Sequence, residues 1–368
     1  MPNKEDAFPI QGFDYIHFYV GNARQAAYYL QAYGFTPIAY KGLETGSRDL
    51  VSYVVQQGDA CFVVSGALGP ESPIAEHVKK HGDGVHDVAF TVPDAEEAYR
   101  VALERGARGV AEPEVFEDEK GKLVKAEIAT YGETIHSLVS RADYSGTFFP
   151  GYEDLPGASA DRRGFGIRYI DHVVGNVELG KMDEWVGFYE RVMGFMEMKH
   201  FTDDDISTEY SALMSKVVWD GEENDKVKLP INEPAEGKKK SQIDEYLEYY
   251  GGPGVQHMAL ATENIIESVE AMRDRGIEFL RVPTTYYEDA KERVPEVAGQ
   301  IDDLERNGIL VDKDDDGYLL QIFTKPIQDR PTVFFELIER HGSRGFGAGN
   351  FKALFEAIER DQAARGNL

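Results

Sequence analysis

The sequence predicts an α+β protein made of two related halves. Two observations carry that prediction: a strand-and-helix pattern occurs twice along the chain, and 368 residues are enough for about two domains with a sizeable core. Acidic residues outnumber basic ones 66 to 39, for a formal charge of -27. Such a surface opposes a phosphate-backbone partner, so nucleic acid is not expected. No run of about 18 apolar residues occurs, so no membrane span is expected. The start, "MPNKEDAFPIQG", has neither the basic nor the apolar segment of a signal peptide. The single cysteine, Cys61, cannot form an internal disulfide and reads as a small core residue in the strand "ACFVVSG". A cytoplasmic location is the expectation.

The first repeated element is a strand. "YIHFYVGN" (15–22) lies over "YIDHVVGN" (169–176) at an offset of 154, matching Tyr15 with Tyr169, Ile16 with Ile170, and Gly21-Asn22 with Gly175-Asn176. A helix follows in each half, "ARQAAYYLQAYGF" and "MDEWVGFYERVMGF", with Gly34 and Gly194 expected as C-caps. Next, "GVHDVAFTVPDAEEAYRVALERGA" (84–107) lies over "GVQHMALATENIIESVEAMRDRGI" (254–277) at an offset of 170, each reading as strand, turn, amphipathic helix and glycine. Asp, Asn and Thr stand where those helices start. The last matched strand is "IHSLVSR" (135–141) over "FFELIER" (334–340), at an offset of 199. The growing offset places longer insertions in the second half. Between the halves "SGTFFPGYEDLPGASADRRG" is rich in Gly, Pro and Asp without apolar period, as a linker is. The expected division is 1–150, a linker at 151–167, and 168–368.

What differs between the repeats points to chemistry. The matched strands of the second half carry His172, His257 and Glu336, where the first half carries Phe18, Asp87 and Ser137. A lone buried histidine is usually a hydrogen-bonded core residue. Two histidines and a carboxylate on repeat-equivalent strands instead suit a facial triad with open metal positions. Zinc more often takes a closed site with cysteine or a third histidine, so the ligand types favour Fe(II). The first half, with at most two weak oxygen donors in those columns, is expected to be metal-free, leaving one iron per chain; a one-residue slip would bring His86 in place of Asp87.

These residues carry a resemblance. The paired units resemble the vicinal-oxygen-chelate fold, and the second half closely resembles the 4-hydroxyphenylpyruvate dioxygenase family in "DHVVGNV", "LPINEPAEGKKKSQIDEYLEYYGGPGVQH", "GYLLQIFTKPIQDRPTVFFELIER" and "GFGAGNFKALFEAIERDQAARGNL". The resemblance implies two glyoxalase/extradiol-dioxygenase-like domains, each of two βαβββ modules forming an open barrel. It also implies Fe(II)-dependent oxidative decarboxylation and ring hydroxylation of 4-hydroxyphenylpyruvate by dioxygen, with side-chain migration giving homogentisate and CO2. A homo-oligomer, dimer or tetramer, goes with it. Ser215, Asn232, Gln256 and Gln321 match the family's neutral hydrogen-bonding groups, and Phe323, Phe346, Asn350 and Phe351 its substrate contacts. Strand alternation would point Gln256 and His257 to opposite faces, so placing both at the site rests on the resemblance.

The tail reads as a lid, with "SRGFGAGN" as a glycine hinge and Phe351, Leu354, Phe355 and Ile358 as a helical apolar stripe. "DKDDDG" (312–317) imitates a calcium loop, but Phe323 stands where the bidentate Glu belongs, so it reads as an acidic turn. Two rival readings are a 4-hydroxymandelate synthase, sharing fold, metal and substrate, and a metal-free binding protein of the same fold.

Overall fold

The structure is a computed structural model describing residues 8, 10–159, 161–202, 212–221, 225–235, 237 and 239–367. The first half runs β1 (Gly12–Tyr19), α1 (Ala23–Leu30), β2 (Thr36–Lys41), β3 (Leu50–Gln57), β4 (Ala60–Ala67), α2 (Pro73–His81), β5 (Gly84–Thr91), α3 (Ala95–Glu104), β6 (Gly109–Asp118), β7 (Gly121–Ala129), β8 (Ile135–Ser140) and β9 (Glu153–Asp154). Its sheet has the order β6-β7-β8-β5-β1-β4-β3-β2-β9. Two βαβββ modules therefore meet at the antiparallel pair β1 and β5. The 151–167 stretch is laid against this sheet, because β9 pairs with Ala39 and Tyr40 of β2.

The second half repeats the plan: β10 (Ile167–Asn176), α4 (Met182–Met193), β11 (Met196–Phe201), β12 (Ala212–Trp219), β13 (Lys228–Ala235), α5 (Gln242–Tyr250), β14 (Gly254–Thr262), α6 (Ile265–Asp274), α7 (Thr285–Arg293), α8 (Ile301–Asn307), β15 (Leu310–Lys313), β16 (Tyr318–Phe323), β17 (Phe334–His341) and α9 (Phe351–Ala364). The sheet order is β11-β12-β13-β10-β14-β17-β16-β15. Helices α7 and α8 have no counterpart between α3 and β6, which explains the last growth in repeat offset.

Local chemistry sets the element ends. Asp94 accepts from the Glu96 and Glu97 amides and Asn264 from Glu267, capping α3 and α6. Gly194 closes α4 at φ 64°, a left-handed position where a side chain would be strained.

One expectation is corrected. The β1/β5 register pairs Tyr15 with Ala89 and His17 with Asp87, while β10/β14 pairs His172 with Ala259 and Val174 with His257. The residue equivalent to His172 is therefore Tyr15, three positions before Phe18. The shared Gly-Asn dipeptides matched as sequence, but they stand at different places in the fold: Asn22 caps α1 directly, whereas Asn176 is the last residue of β10 and a longer connection follows before α4. Tyr15, Asp87 and Ser137 are all buried. Ser137 donates its hydroxyl to Asp87 at 2.6 Å and its amide at 2.9 Å, and burial pushes the Asp87 carboxyl up to about 6. A hydrogen-bonded trio thus occupies the columns that in the second half carry two imidazoles and a carboxylate.

The two halves share a core. Phe335, fully buried, stacks on Phe62 at 5.5 Å and 8° and meets the edge of Tyr33 at 5.1 Å. His136 and Thr130 of the first half bond the Tyr189 hydroxyl of the second at 2.8 and 3.0 Å. Because β17 alternates, Phe335 faces the first half while Glu336 faces its own barrel. Phe335→Ala should cost about 3–5 kcal/mol through the cavity it leaves. Guanidinium unfolding at equilibrium measures this, and a loss below about 1 kcal/mol would show that the packing between halves is not structural.

Candidate metal centre

His172, His257 and Glu336 come from β10, β14 and β17, which are neighbours in the sheet. His172 and Glu336 both flank Ala259, and His257 lies two residues along the same strand. The three donors therefore point into the barrel from one patch. Glu336 Oε2 lies 3.2 Å from His172 Nε2 and 3.3 Å from His257 Nε2, and the three ligand atoms fall within 4.8 Å of one another.

Each imidazole is oriented from behind. His172 donates Nδ1–H to Asp171 at 2.8 Å, and His257 donates Nδ1–H to Gln256 Oε1 at 3.0 Å. Both Nε2 atoms are thereby left as acceptors, the arrangement a metal ligand requires. Gln256 reaches the site because β14 bulges: Val174 pairs with His257 and Gly175 with Val255, which skips Gln256. The bulge cancels the alternation that would have separated the two side chains.

Asp171 is itself held by Arg340, which gives it two bonds of 2.8 Å. Burial alone would raise the Asp171 carboxyl, but the guanidinium holds it well below the usual carboxylate range. The same Arg340 donates to the carbonyls of Ser343 and Gly345 at 3.2 and 2.7 Å, so one buried cation joins the support of His172 to the tail hinge. Burial opposes charge on His172, yet Glu336 and then Asp171 raise its pKa above the ordinary imidazole value. For His257 burial wins and the pKa is lowered. Burial would likewise raise Glu336, but the two histidines, His172 foremost, keep it below its ordinary value.

Above the triad lies a cavity of about 650 Å³, open space at its mouth included. It takes in Ser215, Asn232, Gln256, Gln321, Phe323 and Phe346 among the expected residues. Ser215 and Asn232 are direct cross-strand partners on β12 and β13. Phe346 meets the edge of His172 at 5.1 Å, and Phe323 the edge of His257 at 5.9 Å. Asn350 is not part of the wall. It is fully buried behind Gln321, donating to Gln321 Oε1 at 3.4 Å and accepting from the Tyr286 hydroxyl at 2.5 Å. The side chain of Phe351 lies outside the described residues.

Sequence reasoning missed Phe334, which stacks on His257 at 4.8 Å, and the Asp171–Arg340 pair. Both carry a faint signal: Phe334 and Arg340 are two before and four after Glu336, on the strand face that the carboxylate occupies. From the tail, Leu354, Phe355 and Ile358 of α9 close the cavity. Arg365 bonds Glu245 of α5 at 2.6 Å and pins the helix there. The acidic turn has a use: Asp314 accepts from the Ser343 hydroxyl and the Gly345 amide, and Asp312 from the Gly349 amide. Gly347, at φ 75°, has no room for a side chain, since a Cβ there would overlap the Gln321 amide.

Two oriented imidazoles, one buried carboxylate and a cavity in front of them fit a metal with open coordination positions. Comparison with known proteins agrees. Residues 5–149 match the profile "Hydroxyphenylpyruvate dioxygenase, HPPD, N-terminal", and residues 169–322 the Glyoxalase/Bleomycin resistance protein/Dioxygenase superfamily. The chain is 48% identical to a 4-hydroxyphenylpyruvate dioxygenase of Yarrowia lipolytica, covering 100% of this chain and 96% of the relative. It is 50% identical to one of Danio rerio, covering 97% and 92%. The chain belongs to the 4-hydroxyphenylpyruvate dioxygenase family. A substituted 4-hydroxymandelate synthase of Streptomyces coelicolor has the same fold as this dioxygenase-family chain, at a TM-score of 0.87 and 33% identity, over 96% of this chain and 99% of that one.

Two outcomes follow for this family member. Asp171→Asn, which leaves Arg340 buried without its counterion, should cost about 3–5 kcal/mol of stability. It should also weaken metal binding by about 10–100-fold, because His172 loses its orienting acceptor. Denaturant unfolding and metal titration read the two effects separately, and unchanged affinity would remove Asp171 from the site. Secondly, the raised His172 pKa means that the metal-free protein carries a proton there at and above the ordinary imidazole value. Metal uptake near neutral pH should release protons and weaken as pH falls through that region. Calorimetry in buffers of different ionisation enthalpy measures the release, and no release would contradict the raised His172 pKa.

Proposed function

We propose that the chain converts 4-hydroxyphenylpyruvate and dioxygen to homogentisate and CO2, with Fe(II) held by His172, His257 and Glu336. The observation that carries the reading is the oriented His-His-Glu set at the floor of an apolar cavity, in a chain about half identical to dioxygenases of that name. When bound, Fe(II) supplies chelation of the 2-oxo acid and activation of dioxygen.

The chain's own residues supply position and dryness. Ser215, Asn232 and Gln321 are neutral, so they hydrogen-bond the polar ends of the substrate without competing as anionic ligands. Gln256 keeps the Nδ1 proton of His257 in place. Phe323 and Phe346 offer ring edges and faces to the aromatic substrate, and Phe351 is proposed to join them. Asn350 acts one step back by fixing the Gln321 amide. Val174, Leu213, Val217, Phe334 and the α9 stripe exclude water from the reacting atoms.

The same reading includes a division at 1–150, 151–167 and 168–368, a homo-oligomer of two or four chains, and a cytoplasmic location. Among the described residues no helix is long and apolar enough to cross a membrane, and the one cysteine is buried and free.

The structural match to a 4-hydroxymandelate synthase favours a second reading in which the benzylic carbon is hydroxylated instead. Incubating Fe(II)-loaded protein with 4-hydroxyphenylpyruvate and separating the products chromatographically decides between them. Homogentisate is expected; 4-hydroxymandelate as the main product would establish the second reading. Removing residues 346–368 should leave metal binding nearly unchanged while oxygen consumption outruns homogentisate formation, because solvent then enters the cavity. Full coupling in the truncated protein would reduce the tail to a packing element.

A further inference from the structure

A second group of metal-ligating side chains lies outside the barrel. His77 and His81 stand four residues apart on one face of α2, the helical spacing that lets two imidazoles reach one ion. Glu133, in the turn between β7 and β8, faces them, and the three ligand atoms lie within 4.8 Å of one another.

The hydrogen bonds repeat the logic of the barrel site. His81 donates Nδ1–H to the Tyr250 carbonyl at 2.6 Å, which leaves its Nε2 as an acceptor 3.0 Å from Glu133 Oε2. Two acceptors at that distance require a cation or a proton between them. His77 is 5% exposed, and neither of its ring nitrogens has a hydrogen-bond partner. A buried imidazole with two unpaired nitrogens is costly unless a ligand takes one of them. Lys80 bonds the other oxygen of Glu133 and leaves Oε2 to face inward. Side walls come from Tyr19, whose ring meets the His77 edge at 5.3 Å, and from Tyr250, stacked on His81 at 4.3 Å.

We propose that His77, His81 and Glu133 bind a divalent transition-metal ion, separate from the barrel metal and contrary to the expectation of a metal-free first half. Two imidazoles and one carboxylate suit such an ion, and Glu133, whose side chain is 52% exposed, leaves its outer side open to water as a fourth ligand. All three ligands belong to the first half, but the carbonyl that orients His81 belongs to the second. Arg330 of the second half also donates to the Lys80 carbonyl at 2.7 Å. The ion therefore strengthens the junction between the halves and takes no part in turnover.

Equilibrium dialysis of tag-free protein against Zn2+ tests this. Wild type should retain two equivalents per chain, and Glu133→Ala or His77→Asn one. Adding His257→Ala to either should remove the remaining one. Zn2+ should raise the Tm of His257→Ala protein and lose that effect when Glu133→Ala is added, while iron-loaded Glu133→Ala protein keeps wild-type turnover. Glu133 is half-exposed in a turn, so its replacement leaves the core intact. A single equivalent in the wild type, or two that survive both Glu133→Ala and His77→Asn, would overturn the proposal and leave His81 and Glu133 as an ordinary ion pair.

Discussion

A carboxylate with 3% of its surface exposed, Glu336, sets the terms for the second half of this protein. Burying a charge is expensive unless compensation is built around it. Here the compensation comes from two imidazoles at 3.2 and 3.3 Å, and it is sufficient to keep the carboxyl below its ordinary pKa despite burial. The rest of the barrel serves that arrangement. Three neighbouring strands aim the donors at one point, a bulge turns Gln256 inward behind His257, and Arg340 holds Asp171 behind His172. The same guanidinium grips the hinge carbonyls, so the floor of the cavity and its cover share a fastening.

The first half shows what the fold does without that constraint. In the equivalent columns Tyr15, Asp87 and Ser137 satisfy one another, with the Asp87 carboxyl shifted up rather than paired with imidazole. The half still contributes Tyr33 and Phe62 to the packing around Phe335, the residue next to Glu336. Strand alternation thus puts the domain contact and the proposed metal ligand on consecutive residues of β17, and a slip in its register would damage both.

Much of this was legible in the sequence because it rests on period and on spacing. The duplicated strand-helix units, the caps at Gly194, Asp94 and Asn264, and the set His172, His257 and Glu336 all came from comparing one half with the other. What was not legible lies in three-dimensional placement. The Gly-Asn dipeptides fall at different places in the two strand-helix connections, so Phe18 stood in for Tyr15, while Gln256, placed at the site by resemblance, reaches it through the bulge in β14. Asn350, matched by resemblance to a substrate contact, packs behind Gln321, a placement only tertiary structure supplies. The grip of the acidic turn on the hinge through Asp312 and Asp314 depends on a contact about 30 residues away in sequence that no local pattern signals. His77 and His81 also carried a readable helical spacing; their partner Glu133 did not.

The claim that Glu336 is buried for the sake of a metal is open to one direct measurement. Fe(II) is titrated into metal-free wild type and Glu336→Gln protein, with product formation read at each point and near-ultraviolet circular dichroism as the control for folding. A saturable iron dependence in the wild type and no turnover at any iron level in the folded variant is the predicted result. Wild-type turnover with the same iron dependence in Glu336→Gln would contradict it.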